Sequence, residues 1–325
     1  MSEAAAAVSP GVWLVNLPLP FPVGSINVYF VRCPDGFLLL DCGLKTQACR
    51  EKLAAALARI GITWRDVRRL VISHMHPDHF GLMAEVKELS GAEVLMHRVE
   101  AAHLLPRWRD RGVVGRHWEW LAEHGVPASD SEEIGQASVG AAEFVETAEA
   151  DRVLEDGDRL AVEGGELEVL WMPGHSPGLL TLYWRERRLY FSSDHIIEKI
   201  TPNIGLFSNA QGDPLADYLR SLDRLRSIEI DQILPSHGHP FNGHHEWIAA
   251  TERHHRERCG RMLAAVAEAA RTAYEIVPFE WGEHLSPLNE RFAVAETLAH
   301  LEYMRRRGEV ESRRDGGVVK WRKVS

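Results

Sequence analysis

Residues 70–79 read Leu70-Val71-Ile72-Ser73-His74-Met75-His76-Pro77-Asp78-His79. An apolar run that reads as a buried strand hands over to three imidazoles and one carboxylate within six residues. Pro77 argues against a helical course through the motif, because proline lacks an N–H and restricts the residue before it. In an extended turn His74 and His76 leave one side, and Asp78 and His79 the other. Imidazole nitrogen and carboxylate oxygen are the donors that zinc and its borderline neighbours take. Four such donors, split two and two, suit a pair of adjacent cations better than a single one.

Three further segments follow the same rule. Pro173-Gly174-His175-Ser176-Pro177-Gly178 ends the apolar run 167–172, Ser192-Ser193-Asp194 ends the run 188–191, and Pro235-Ser236-His237-Gly238-His239 ends a run beginning near 231. Each candidate ligand thus stands at the C-terminal end of a short strand, where a sheet would deliver it to one edge. With these motifs in this order, the chain resembles the metallo-β-lactamase superfamily over roughly residues 11–245.

The resemblance implies an α/β fold, a four-layer αββα sandwich with a dinuclear metal site at one edge. Carried over by position, one cation would take His74, His76 and His175, and the other Asp78, His79 and His237. Asp194 would bridge them. This full ligand set resembles the glyoxalase II-like branch, whereas true β-lactamases of the superfamily usually lack some of the acidic ligands. Asp41, in Leu40-Asp41-Cys42-Gly43, matches an early Asp that supports a ligand rather than binding metal. The cofactor expected is two divalent ions, zinc first, with iron or manganese as alternatives.

Outside the motifs, residues 12–17, 26–33 and 37–41 read as a meander of strands. Residues 45–60 have helical periodicity and Gly61 stops them. Residues 69–73 read as strand, 79–89 as helix and 93–97 as strand, an alternation that fits an α/β sandwich. Residues 98–150, rich in Trp and Arg, break the alternation and read as a helical insertion, with 131–147 helix-prone. Strands resume at 159–162, 166–172, 179–184 and 188–191, and helices are expected at 214–228 and 247–270. No internal repeat is evident. The division expected is a catalytic domain, residues 1–245, and a C-terminal module, residues 246–325.

Within that module Val294, Leu298, Leu301 and Met304 form a helical stripe in residues 291–307. Two apolar-polar runs then flank Arg313-Arg314-Asp315-Gly316-Gly317, a hairpin with an Asp-Gly turn. Helix followed by β-wing resembles the small winged-helix domain attached to some proteins of this fold. From Arg305 onward the basic residues are Arg305, Arg306, Arg307, Arg313, Arg314, Lys320, Arg322 and Lys323, against Glu309, Glu311 and Asp315. Such a wing could touch phosphates, or pack on the sandwich and shape the substrate entrance or a homodimer contact. The second use is the favoured expectation, because a scaffold does not dictate its function.

Composition bounds these readings. Of 325 residues 45% are hydrophobic and 26% charged, ordinary for a globular protein. No apolar stretch reaches the length of a membrane span. The N-terminus has alanines but no basic segment, and reads as a frayed end rather than a signal peptide. Four cysteines without framework spacing fit reduced thiols in a cytoplasmic protein. A net charge of −10 argues mildly against a polyanion as main partner.

The resemblance carries a chemistry: a hydroxide held between two cations attacks an electrophilic carbon or phosphorus. Asp78 would accept its hydrogen bond and later pass a proton. Ser176 reads as a turn residue, not a nucleophile. The apolar loop 18–24 with Phe21, the insertion's Trp108, Trp118 and Trp120, and His195 beside Asp194 are the candidate substrate contacts. They suggest an organic, partly apolar substrate. No Tyr follows Asp194 within three residues, which weakens a lactonase reading, and the basic glutathione-binding signature of glyoxalase II is missing. Among surplus histidines, His239 is a candidate support for the site. The pairs His244/His245 and His254/His255 read as solvated helix residues. The leading expectation is a metal-dependent hydrolase of a thioester or other small acyl ester. The alternatives are a single-strand endoribonuclease using the basic tail, and a lactonase.

Overall fold

The computed structural model describes residues 4–21, 23–109, 112–208, 212–282 and 284–324. Residues 1–3, read from sequence as a frayed end, and Pro22 of the apolar loop lie outside the described residues. The first sheet has seven strands in chain order: β1 (Ala6–Ser9), β2 (Val12–Pro18), β3 (Ser25–Cys33), β4 (Gly36–Leu40), β5 (Val67–Ile72), β6 (Glu93–His97) and β7 (Arg152–Leu154). Helices α1 (Gln47–Ile60), α2 (Pro77–Phe80), α3 (Met83–Ser90), α4 (Arg98–Arg109), α5 (Gly112–Glu123) and α6 (Ala128–Gly140) fall between its strands. The last three confirm the helical insertion at 98–150.

The second sheet is β8 (Arg159–Val162), β9 (Gly165–Trp171), β10 (Leu180–Trp184), β11 (Leu189–Ser193) and β12 (Gln232–Pro235), in the spatial order β12-β11-β10-β9-β8. Helix α7 (Pro214–Leu225) connects β11 to the parallel β12. The chain ends with α8 (His244–Ala265), α9 (Ala273–Trp281), α10 (Pro287–Arg306) and the hairpin β13 (Val310–Asp315) and β14 (Val318–Lys323).

Period-two alternation makes the layers. On β3, Ile26, Val28 and Phe30 face the α1 side, while Tyr29, Val31 and Cys33 face the other sheet. On β10, Leu180, Leu182 and Trp184 meet them from across the sandwich. A third apolar cluster lies under α7 and α8, around Tyr190, Tyr218 and Leu222. This is the expected αββα architecture.

A fourth cluster joins α5 and α6 to α8, α9, α10 and the hairpin, through Leu121, Ile134, Leu298 and Trp321. The C-terminal segment therefore packs on the insertion, and the boundary read at 245/246 falls inside the first turn of α8.

Several sequence expectations are corrected. Helix α2 starts at Pro77, where a missing N–H costs nothing, so the proline opens a helical turn rather than excluding one. The single helix expected over 79–89 is broken between α2 and α3. The alanine-rich start is not wholly frayed, since Ala6 and Ala7 pair with Leu14 and Trp13. Helix α6 begins earlier than the helix-prone stretch suggested, and α9, with its Thr272/Glu275 capping box, was not anticipated.

Candidate metal centre

Parallel pairing of β4 with β5, and of β11 with β12, points four strand ends at one edge of the sandwich. Asp41 follows β4, His74 follows β5, Asp194 follows β11 and His237 follows β12. Asp41 and Ser193 both adopt left-handed backbone, with φ of 59° and 48°. Such conformations cost a non-glycine residue roughly 1–3 kcal/mol, and persist where the surroundings over-determine them. His175 sits in a loop that two glycines make feasible. Gly174 has φ of 142°, and a Cβ there would lie 2.6 Å from the Tyr218 Cα. A Cβ on Gly178 would lie 2.8 Å from the Glu100 backbone nitrogen.

The donors converge in two groups, His74, His76, His175 and Asp194, then Asp78, His79 and His237. His76 Nδ1 lies 2.9 Å from His74 Nε2 and 2.8 Å from His175 Nε2. Asp194 spans both groups. Its Oδ2 is 3.2 Å from His175 Nε2 and 3.9 Å from His74 Nε2. Its Oδ1 is 3.4 Å from His79 Nε2 and 3.5 Å from His237 Nε2. Asp78 Oδ2 stands 3.4 Å from His237 Nε2.

These residues fit a metal site. One proton on His76 Nδ1 cannot serve two neighbouring nitrogens, whereas a cation among the three nitrogens satisfies every lone pair. His79 Nε2 is buried with no hydrogen-bond partner of its own. Burial, then the neighbouring imidazoles, hold His74 well below the usual histidine range, and burial with His175 and Arg107 does the same to His76. Both are therefore neutral ligands already. His79 and His237 differ: burial opposes their charge, but the Asp194 carboxylate and its neighbours outweigh it and raise both. A cation at that second group displaces protons, so its binding there strengthens as pH rises.

Carbonyls and carboxylates orient the ligands from behind. His175 Nδ1 lies 2.9 Å from the Asn203 carbonyl and His237 Nδ1 2.7 Å from the Ser25 carbonyl. Asp41 lies 2.8 Å from His79 Nδ1 and accepts from both the backbone N–H and the hydroxyl of Ser73. Asp41, to which the resemblance assigns a supporting role, sits behind His79 and is in neither donor group.

Two supports were missed. Glu100, fully buried at the start of α4, accepts from the Met75 N–H at 2.8 Å and from the Ser176 hydroxyl and Gly178 N–H at 2.7 Å each. It ties the His74–His76 loop to the His175 loop, and it gives Ser176 a turn role. Asn203 donates at 2.8 Å to Glu296 of α10, whose other oxygen accepts from Arg258 of α8. The C-terminal helices therefore brace the backbone that orients His175. No local sequence signal marks either residue, since neither stands in a motif.

The metallo-beta-lactamase superfamily profile matches residues 21–237, and the metallo-beta-lactamase-like C-terminal domain matches residues 259–324. The chain belongs to the metallo-β-lactamase superfamily. It is 26% identical over 315 residues to the probable metallo-hydrolase YqjP of Bacillus subtilis, covering 94% of this chain and 95% of that one. It is 28% identical over 222 residues to the acyl-coenzyme A thioesterase MBLAC2 of Gallus gallus, covering 66% of this chain and 73% of that protein. The crystal structure of TTHA1429, a metallo-beta-lactamase family protein of Thermus thermophilus, superposes with a TM-score of 0.87 at 32% identity, covering 98% of this chain and all of that one. The chain is a metal-dependent hydrolase of this superfamily.

On the superfamily scaffold the expected substrate contacts scatter. His195 is buried between Tyr190, whose hydroxyl is 2.8 Å from its Nδ1, and Tyr218, and burial pushes its pKa down to about 3. It is a core residue, because the turn after Asp194 swings its side chain inward. Phe21 packs edge-on to Phe144 beside the first core cluster, and Trp118 lies exposed on α5. Trp108 backs the ligand loop, donating to the Met75 carbonyl and meeting the Phe80 ring at a tilt of 56°. His239 is exposed against Glu198. The paired histidines are not uniformly solvated. His244 and His255 are buried, and His255 Nδ1 is 3.0 Å from His300 Nε2.

The thiols are free, with Cys33, Cys42 and Cys49 buried. No helix among the described residues is long and apolar enough to cross a membrane.

Proposed function

We propose that the chain hydrolyses an ester-type bond, a thioester or other small acyl ester, at a two-cation centre. The observation that carries this reading is Asp194, whose two oxygens face the two donor groups separately. His74, His76, His175 and Asp194 would hold one cation, and Asp78, His79, His237 and Asp194 the other. A structural zinc site closes with four ligands around one ion, and this donor set exceeds that. Bound divalent cations, zinc first with iron or manganese as alternatives, would supply Lewis acidity toward the scissile carbonyl and ionise water near neutral pH.

The remaining work falls to the chain. Burial works to raise Asp78, but the charges and hydrogen bond of His79 and His237 outweigh it and hold the carboxyl ionised. It is the proton acceptor beside the reacting bond. Glu100 and Asn203 keep the loops from relaxing when substrate enters. A small recess of about 70 Å³, open to solvent, adjoins His76 and His175 and is the candidate seat of the acyl group. The likeness to acyl-coenzyme A thioesterases supports the thioester choice. The basic tail supports a small molecule over RNA as partner, because many of its cations are matched internally. Arg305 and Arg306 pair with Glu302, Arg307 with Glu309, Arg314 with Glu123, and Arg322 with Glu311.

The test is elemental analysis of metal content alongside a panel of acyl thioesters, aryl esters, lactones, phosphodiesters and single-stranded RNA. The expected result is two cations per chain with turnover of thioesters or esters. Turnover confined to RNA or phosphodiesters sinks the acyl reading, and turnover confined to lactones moves it to the lactonase alternative.

A further inference from the structure

The recess beside His76 and His175 is small, and one stretch of chain helps to make it so. Residues 203–207, between β11 and α7, send successive side chains to different places. Ile204 is buried under α7 and α8, and Leu206 packs against the C-terminal cluster. Gly205 and Phe207 line the recess.

The Phe207 ring is held from several sides. It meets Phe292 of α10 edge-on and Trp120 of α5 at a tilt, with ring centres 6.4 Å apart in each case. The Arg291 guanidinium lies 5.1 Å from its centre. Behind the ring the loop hangs on α10 at two points. The Leu206 N–H donates to the Ala295 carbonyl at 2.9 Å, and Asn203 donates to Glu296 at 2.8 Å. Glycine at 205 permits this course, because a Cβ there would lie 2.6 Å from Phe207 Cε2 and 3.1 Å from the Ala295 Cβ. The C-terminal segment thus fixes an aromatic ring in the wall beside two metal ligands.

Met75, Pro177 and Pro214 supply further apolar lining. Of the charged lining, Arg107 feels the Glu100 carboxylate and Asp217 pairs with Arg220. An apolar cavity of about 150 Å³ holds a benzene ring, so the 70 Å³ here seats roughly three carbons.

We infer that Phe207 is a specificity-determining residue, whose ring limits the acyl group beside His76 and His175 to a short chain. The inference rests on the acyl-ester reading above and narrows it to short acyl groups such as acetyl to butyryl. Methylenes beyond that length meet the ring or stay in water, and gain no binding.

The probes are acetyl, butyryl and octanoyl N-acetylcysteamine thioesters, compared by kcat/KM in the wild type, Phe207→Leu and Phe207→Ala, with metal content and melting temperature checked for each. Each methylene seated in the recess should raise kcat/KM roughly fourfold. In the wild type butyryl should therefore exceed acetyl, and octanoyl should gain nothing over butyryl. Phe207→Ala should raise the octanoyl-to-butyryl ratio roughly tenfold or more, with Phe207→Leu between. A general loosening of the fold lowers all three substrates together and leaves that ratio alone. A wild type that keeps gaining from butyryl to octanoyl, or a ratio that Phe207→Ala leaves unchanged, overturns the limit. If no thioester is turned over, calorimetric titration of acetohydroxamate, butyrohydroxamate and octanohydroxamate into the metal-loaded protein still decides. A preference for butyrohydroxamate that Phe207→Ala shifts to octanohydroxamate upholds the limit without the acyl reading. Affinities blind to chain length, or to the substitution, overturn it.

Discussion

Replacing Glu100 by alanine tests whether the ligand loops are held from behind. The carboxylate is fully buried and accepts three hydrogen bonds, from the Met75 and Gly178 N–H groups and the Ser176 hydroxyl. Alanine leaves those donors buried without an acceptor. A stranded buried donor costs about 1–3 kcal/mol, and the serine hydroxyl can turn to find another partner. The two N–H groups cannot turn, so about 3–5 kcal/mol of stability should be lost, a large share of a total near 5–15 kcal/mol. Glu100→Gln retains one acceptor oxygen but turns an amide N–H₂ toward a donor, so it should cost less than alanine but still more than about 1 kcal/mol.

Denaturant unfolding with the metal chelated gives the folding cost. Competition with a coloured chelator gives metal affinity, expected to fall about 10–100-fold, as for loss of an outer support. If Glu100→Ala lay within about 0.5 kcal/mol of the wild type and bound metal as tightly, the loops would be positioned by something else.

Asp194→Ala should lower both metal content and turnover, because one carboxylate faces both donor groups. Retention of two cations and full rate by elemental analysis and kinetics would refute the ligand assignment. Burial, against the opposing pull of Arg258 and Asn203, lifts Glu296 from 4.5 to about 7. The folded state then holds a proton that the unfolded state has released, so stability from this group is present below pH 4.5 and is lost as pH rises to about 7. The stability difference between wild type and Glu296→Gln should therefore shift by about 3 kcal/mol between pH 4.5 and 7.5, against the wild type at the higher pH. Parallel pH profiles would show that Glu296 is ionised throughout.

What was legible in the chain was local. A histidine cluster after an apolar run, a Gly-His-Ser-Pro-Gly turn and single acids or imidazoles closing strands can be read without coordinates, because every ligand follows a strand end closely: His74, Asp194 and His237 within two residues, His175 within four, and His76, Asp78 and His79 within seven. The supports could not be read this way. Glu100 looks like any acid in the first turn of a helix, and Asn203 like any loop residue. Only the meeting of the insertion and the C-terminal helices with the ligand loops gives them work. The histidines show the converse failure. His195 and His255 are as polar in sequence as His175, yet two tyrosines enclose the first and packing of α8 against α10 hides the second.

The sequence by itself determined the family, the sandwich and the ligand chemistry, because strand periodicity and motif spacing are short-range properties. Tertiary structure alone decided which polar residues enter the candidate metal centre, which brace them and which are buried elsewhere. Those outcomes depend on long-range packing, where burial and partner geometry, not residue type, set the energy of each polar group.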